Sequence, residues 1–351
     1  MVRSALSHSA LVRRLIVREK LDGYVTLSVM EQRYLANVDL MPGEAVFLVT
    51  ARQTYCVTKK MLVSKIEAAD KSIKIYEAQL GGILDAALKL AQAKNLKRWV
   101  FDGTQVSFEE GEKLLRAGAT RRDGLLLPLR VRKDADETAK IKRACQIASD
   151  AFEAVKPKIK AGIGEDELRA LLSAEMVRRG ANSIAFNIVC FGENTADVHH
   201  QPVASRKLKN NEAVLMDFGC FYQGYVSDMT RSWWYGKKVP AEYTKIWNMV
   251  DKARKQAIKV LKAGVAAGEV DKAARDIIAA GGYGEAFCHT TGHGVGLCVH
   301  EAPILRKDST EIVPENAAVT VEPGIYLTGK FGVRLEDTFL VTKTGRKKLT
   351  Y

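Results

Sequence analysis

The sequence predicts two domains of different class: an α/β domain over residues 1–130 and an α+β domain with an internal pseudo-two-fold repeat over 131–351. Three observations lead there. Up to Arg130, short strand-like runs alternate with helical periodicity. Asp134-Ala-Asp-Glu137 then supplies acidic caps for a new helix, running to about Ala154. Beyond it, AFEAVKPKIKAGIGEDELRALLSAEMVRRGA and AIKVLKAGVAAGEVDKAARDIIAAGG share a helix, a glycine break, an acidic helix start and a closing glycine, and each leads into strands.

In chain order, the start MVRSALSHSALVRRLIVREK spaces its charges as a first amphipathic helix, with His8 a surface residue on it. Strands are expected at Gly23–Leu27, at Ala45–Val49 after the Met41-Pro42-Gly43 turn, and at Tyr55–Thr58. A long helix within Ile75–Ala93, a strand at Arg98–Phe101 and a helix at Phe108–Ala117 follow. Leu125–Arg132 reads as a last strand leading out of the domain. Nothing in this half looks catalytic.

Composition places the chain among ordinary soluble proteins, with 351 residues, 47% hydrophobic and 27% charged, and a core of ample size. No run of roughly 18 apolar residues and no signal-peptide pattern is present, so a cytoplasmic protein without a membrane partner is expected. The six cysteines are scattered without a C-x-x-C pair, as reduced thiols, and Cys220, Cys288 and Cys298 read as small buried side chains. The net charge of +13 is spread over short clusters such as Arg121-Arg122 and Arg346-Lys347-Lys348. With no zinc-finger, RNP or helix-turn-helix pattern beside them, a solvated basic surface outranks a nucleic-acid partner.

The chemistry is concentrated in two hairpins. In LMDFGCFYQGYVSDMTR two strand-like runs flank Gln223-Gly224, and each carries one Asp. Pairing symmetric about Tyr222 and Gln223 sets Asp217 directly opposite Asp228, an arrangement that repels and that a divalent cation relieves. Taken alone, the stretch also admits one Asp in the turn and the other on a solvated face. AAVTVEPGIYLTGKFGVRLEDTFLVT repeats the pattern, because Glu322 and Glu336 lie seven residues either side of Gly329. Four carboxylates are costly to gather in a core, whereas two divalent cations neutralise them. Two such ions roughly 3.5 to 4 Å apart bridge a water, lower its pKa and polarise the group it attacks.

Between the hairpins lies His289-Thr-Thr-Gly-His293-Gly-Val-Gly-Leu-Cys-Val-His300-Glu301. Its glycines do not have the G-x-G-x-x-G spacing of a nucleotide loop. They let the backbone crowd close around His293, whose neutral imidazole suits a fifth ligand among oxygen donors. His300, and His200 in VHHQP, are then placed either behind the ligands, bonding to them or their supports, or facing the substrate. Each histidine by itself is more often a structural residue.

With MDFG, SDMTR, GHGVGLCVHEAP, EPGIY and GVRLEDT in that order between about Val131 and Val341, the chain resembles the pita-bread metallopeptidases, which include methionyl aminopeptidases, aminopeptidase P and prolidase. The resemblance implies a pita-bread catalytic domain. It also implies a dinuclear centre on Asp217, Asp228, His293, Glu322 and Glu336, manganese first, with cobalt, iron or zinc as other occupants. The α/β half, with YLANVDLMPGEAVFLVT, looks like the creatinase-type N-terminal domain, which points to the Xaa-Pro branch. Creatinase itself lacks the full metal set. Cys298, where an acid is common, and TKKMLV, in place of an acidic segment, depart from the pattern and bear on substrate preference and subunit contacts. The implied activity is that of a prolidase-like Xaa-Pro dipeptidase cleaving before proline, with an aminopeptidase P acting on longer peptides as the alternative and a homodimer as the assembly. Glu322 is expected to shuttle the proton, and His200 and His300 to donate to the substrate carbonyl. Arg334, on the same strand face as Glu336, has three expected partners: a ligand carboxylate, the substrate's C-terminus, or Asp337 in a purely structural pair. A non-catalytic pita-bread binding module would have lost ligands, and none is lost here.

Overall fold

The computed structural model describes residues 6–79 and 82–351, so the first five residues and Leu80-Gly81 lie outside the described residues. Two compact units are present, Met1–Arg130 and Val131–Tyr351. In the first, helices α1 (His8–Arg18), α2 (Val29–Ala36), α3 (Val63–Ala69), α4 (Ile83–Ala93), α5 (Phe108–Arg116) and α6 (Leu127–Val131) alternate with strands β1 (Gly23–Thr26), β2 (Ala45–Thr50), β3 (Thr54–Thr58), β4 (Lys74–Glu77), β5 (Trp99–Phe101) and β6 (Thr120–Arg121). The strands form one mixed sheet in the order β4-β3-β2-β1-β5-β6. The buried faces of β2 and β3 pack with Ile83, Ala87, Leu90 and Ala91 of α4.

Two expectations for this unit are corrected. The helix expected within Ile75–Ala93 is present as α4, but only after Gly82, because the first part of that range is strand β4, paired in parallel with β3, Cys56 opposite Ile75. The strand expected at Leu125–Arg132 is the short helix α6. Pro128 has no N–H to give a ladder, and in the first turn of a helix that donor is not needed.

The second unit repeats one theme. α7 (Ala135–Val155) opens on a capping box of Asp134 and Glu137, and α8 (Glu165–Arg178) leads to strands β7 (Ser183–Phe191), β8 (Glu212–Tyr222), β9 (Tyr225–Val226) and β10 (Met229–Tyr235). α9 (Ala241–Val260) and α10 (Ala267–Ala280) lead to β11 (Gly292–Gly294), β12 (Glu301–Leu305), β13 (Ala318–Val321), β14 (Gly324–Leu327), β15 (Phe331–Arg334), β16 (Asp337–Val341) and β17 (Arg346–Lys348). The copies agree in detail. α8 and α10 both have 14 residues. Gly162 and Gly264 both have positive φ and donate to Leu208 O and Val313 O, and Glu165 N and Ala267 N reach across to Arg206 O and Glu311 O. Each copy builds its own core, one on Leu168, Leu172, Met216 and Phe218, the other on Val250, Val270, Val319 and Val333.

Strand order is β10-β8-β7 in one sheet and β12-β11-β13-β16-β17 in the other, with β14-β15 as a separate hairpin. β11 is squeezed between two neighbours, and a Cβ on Gly294 would lie 2.2 Å from Ala302 O. Among the described residues the cysteines form no disulfide; Cys220 is buried as expected, whereas Cys288 is exposed and Cys298 half-buried. Among the described residues, no helix is long and apolar enough to cross a membrane.

The close approach at β11 sets a test. Gly294→Ala is expected to cost about 2 kcal/mol or more through overpacking against a backbone carbonyl, a fall of about 5 °C in thermal midpoint for a unit of this size. An unchanged midpoint would show that β11 has room to move.

Candidate metal centre

The first hairpin closes through Gln223-Gly224, both at positive φ (47° and 83°), with Tyr222 opposite Tyr225. This is the two-residue turn whose twist suits a hairpin, and it moves the centre of symmetry one residue beyond the expected position. Asp217 is therefore opposite Thr230, not Asp228. Asp228 falls between β9 and β10, two residues from Thr230, and both aspartates still line the same cavity. The expected direct opposition is replaced by a diagonal one. The second hairpin keeps one register from Leu327↔Phe331 out to Ala318↔Leu340, so Glu322 and Glu336 stand opposite each other in the gap between its two ladders.

These elements converge because residues in and beside the gaps are bonded to neighbouring segments, two of the three bonds crossing from one copy to the other. Glu322 N donates to Thr291 O at 2.8 Å and Glu336 N to Thr230 O at 3.3 Å, while the Thr338 hydroxyl donates to Asp228 O at 2.7 Å. As a result, ligand-type atoms of Asp228, His293 and Glu336 all lie within 4.8 Å of one another. His293 Nε2 is 3.1 Å from Glu322 Oε1 and 3.6 Å from Asp228 Oδ2. Its Nδ1 faces Gly294 O at 3.1 Å, so a neutral ring keeps its lone pair on Nε2, toward the carboxylates. Asp217 Oδ2 accepts from Arg334 Nη2 at 2.5 Å. The five expected ligands are brought together.

The electrostatics carry the strain expected of such a set. Burial, with Asp217 and Glu322 adding like charge, raises Asp228 well above the usual carboxylate range. Burial and the charge of Asp228 do the same to Glu336. Burial opposes the charge of Glu322 as well, but the hydrogen bond and charge of His293 outweigh it and bring Glu322 down to about 2. Burial likewise works against the His293 imidazolium, and Glu322 overcomes it, raising His293 to about 9. Four carboxyl groups thus face one guanidinium and one imidazolium, which leaves two of the four without a cationic partner. Asp217 Oδ1 and Glu336 Oε1 are buried with no hydrogen-bond donor among the described residues. Orphaned carboxylate oxygens beside an inward imidazole nitrogen are a donor set suited to divalent cations, so the residues present fit such a centre.

The surrounding cavity has a volume of about 540 Å³. Ala185, Phe186, Ile188, Val198, Val299 and Ile304 give it an apolar wall, and His199, His289 and His300 give it polar corners. His300 stands as expected, its ring edge-on to His293 with centroids 4.4 Å apart. Burial, and next to it the charge of His293, lowers its pKa. Its loop is pinned by Glu301, whose Oε1 accepts from Leu297 N and Cys298 N at 3.0 Å while Oε2 meets Lys133 Nζ at 3.1 Å.

His200 does not line the cavity: its Nε2 donates to buried Glu165 at 2.8 Å, and the neighbouring His199 faces the cavity in its place. Adjacent side chains leave the backbone in different directions, and only a partner from α8 decides which of the pair turns inward. Arg334 takes the ligand-carboxylate partner among those expected. It is 2% exposed and spends its donors on Asp217, Thr230 Oγ1 at 3.1 Å and Tyr326 OH at 2.7 Å. Asp337 is instead paired by Arg231, Arg254 and Lys348. Sequence reasoning missed His199, His289, Tyr326 and Thr230. Tyr326 shares residue parity with Glu322, a period-two signal that pointed to it. With His289 Nδ1 donating to Thr290 O at 2.7 Å, its Nε2 is free to accept from the Tyr326 hydroxyl at 2.8 Å. The Thr230 hydroxyl donates to Glu336 Oε2 at 2.7 Å.

Comparison with known proteins agrees with this geometry. The family model described as metallopeptidase family M24 matches residues 139–343. An uncharacterized peptidase of Staphylococcus saprophyticus is 40% identical over 229 residues, 65% of this chain and 65% of that protein, just under two thirds of its length. The Xaa-Pro dipeptidase of Pyrococcus horikoshii is 33% identical over 316 residues, 89% of this chain and 85% of that protein. A solved Xaa-Pro dipeptidase from Bacillus anthracis superposes with a TM-score of 0.92 at 31% identity, over 98% of this chain and 96% of that one. A duplicated helix-helix-strand scaffold closing on an acid-rich cavity, matched over most of its length, is the pita-bread architecture, and the chain belongs to metallopeptidase family M24.

Proposed function

We propose that the chain hydrolyses the peptide bond preceding proline, as an Xaa-Pro dipeptidase. Asp217, Asp228, His293, Glu322 and Glu336 would hold two divalent ions, manganese first, with cobalt, iron or zinc also suited to one imidazole among carboxylates. The observation that carries the reading is the convergence of Asp228, His293 and Glu336 beside orphaned carboxylate oxygens. When bound, such ions neutralise the cluster, acidify a water and polarise the scissile carbonyl.

The chain's own residues supply the rest. Proline's amide nitrogen carries no hydrogen, and its ring blocks the usual extended docking, so the apolar wall at Phe186, Ile188 and Val198 suits it. Glu322, a carboxylate beside the cavity, accepts the proton of the attacking water and delivers it to the proline nitrogen as the C–N bond breaks. His300, and His199 in the role first expected of His200, donate to the substrate carbonyl as charge develops on its oxygen, a stabilisation of about 3 kcal/mol per donor. Arg334 lines the cavity and touches Asp217 and Tyr326, and it orients Asp217. The relatives' names support the dipeptide as substrate. A cytoplasmic homodimer without nucleic-acid or membrane partners belongs to the same reading.

With manganese added, an Xaa-Pro dipeptide is expected to be cleaved in preference to an Xaa-Pro-Yaa tripeptide; the reverse order would make the chain an aminopeptidase. Asp228→Asn and Glu322→Gln are each expected to lower kcat by about 100-fold or more, and full activity in either would remove this mechanism. Protein purified without chelator should retain divalent metal, which a mere binding module would not.

Loading chelated protein with manganese should also release protons, read by calorimetry in buffers of different ionisation enthalpy. His293 is raised to about 9, so near neutral pH it holds a proton that a metal must displace, and the upward shifts of Asp228 and Glu336 act in the same direction. Affinity therefore climbs with pH until His293 is neutral. A pH-independent affinity between 6 and about 9 would exclude His293 as a ligand.

A further inference from the structure

Glu165, the first residue of α8, has a wholly buried side chain that accepts four hydrogen bonds. Oε1 receives Phe191 N at 2.9 Å and Asn194 Nδ2 at 3.0 Å. Oε2 receives His200 Nε2 at 2.8 Å and Val203 N at 3.0 Å. All four donors belong to the segment 191–203 that leaves β7, and Val198 and His199 of that segment line the cavity. A carboxylate is acceptor-only and satisfies four N–H groups at once, whereas an amide offers one oxygen and brings two further donors into the same space.

The internal repeat supplies a control. In the second copy the residue opening the equivalent 14-residue helix is Ala267, and its backbone N–H crosses to Glu311 O as that of Glu165 crosses to Arg206 O. The helix start therefore needs no carboxylate for its own sake. The second copy also presents a histidine, His300, on the loop after its first strand, but there Glu301 of the loop's own end holds the backbone, whereas in the first copy the holding carboxylate is the first residue of the helix.

We propose that Glu165, with His200 as its imidazole donor, is the positioning residue for His199. Holding the His200 ring against Glu165 fixes the chain one residue from His199, and the bonds to Phe191, Asn194 and Val203 fix the segment on both sides. The inference rests on the reading of His199 as a substrate-facing donor.

The test is kinetic, on an Xaa-Pro dipeptide with manganese. Glu165→Gln is expected to lower kcat about tenfold or more, with KM and bound metal changed by less than about twofold. In a His199→Ala background the same substitution is expected to cost less than about twofold, because the group it positions is gone. His200→Gln, which can still donate to Glu165, should retain more kcat than His200→Ala, and this pair carries the comparison if Glu165→Gln does not fold. Equal losses in both backgrounds, or no loss in either, would overturn the proposal. Amide exchange at Phe191 and Val203 separates it from the reading beneath it. If His199→Ala is fully active, His199 is not a donor, yet faster exchange in Glu165→Gln would still establish the clamp. Unchanged exchange at both amides would refute it.

Discussion

Four carboxylates gathered where water is largely excluded are the constraint on which the second unit depends. Each buried ion costs several kcal/mol unless it is paired or protonated, and the unit uses both remedies. Arg334 covers Asp217 and the His293 imidazolium covers Glu322, while Asp228 and Glu336 retain protons well above the usual range. The two carboxyls without a cationic partner, together with the orphaned oxygens of Asp217 and Glu336, are what make divalent cations the natural complement. The hydroxyls of Thr230 and Thr320, donating to Glu336 and Glu322, orient the carboxylates without adding charge.

Duplication provides the frame, and departures from symmetry provide the site. Both copies bring two helices onto a pair of crossing strands, yet the first contributes its aspartates on a diagonal around a break at Ser227-Asp228, and the second contributes its glutamates in direct opposition. Buried carboxylates outside the cluster hold the histidine-bearing segments. Glu165 holds the segment of His199 and Glu301 that of His300. Asp271 accepts from the backbone and hydroxyl of Thr291, two residues from His289, while Arg275 donates to His289 O. A polar cavity can then keep its shape although few of its own groups bond to one another.

What could be seen in the sequence follows from local rules. Side chains alternate along a strand, and a turn of known length fixes which residues meet, so Gly329 alone sufficed to set Glu322 against Glu336. The same rule misplaced the first pairing by one step, because the positive φ of Gln223 as well as Gly224 was needed to locate the turn. The error kept the face, since moving the partner by two residues preserves parity. Acidic helix starts, glycine breaks and closing glycines made the duplication visible in the sequence, for they too act within a few residues of themselves.

Only the tertiary structure decided choices that hang on distant partners. Whether Ile75 belongs to a strand or a helix depended on β3 lying alongside it. Which half of His199-His200 faces the cavity depended on Glu165, and which acid Arg334 pairs with depended on where β8 passes. The sequence by itself determined which residues are available and which faces they share, because periodicity and turn chemistry are local. The structure decided which of them meet, because hydrogen bonds and charges between remote segments select among side chains that local rules leave equivalent.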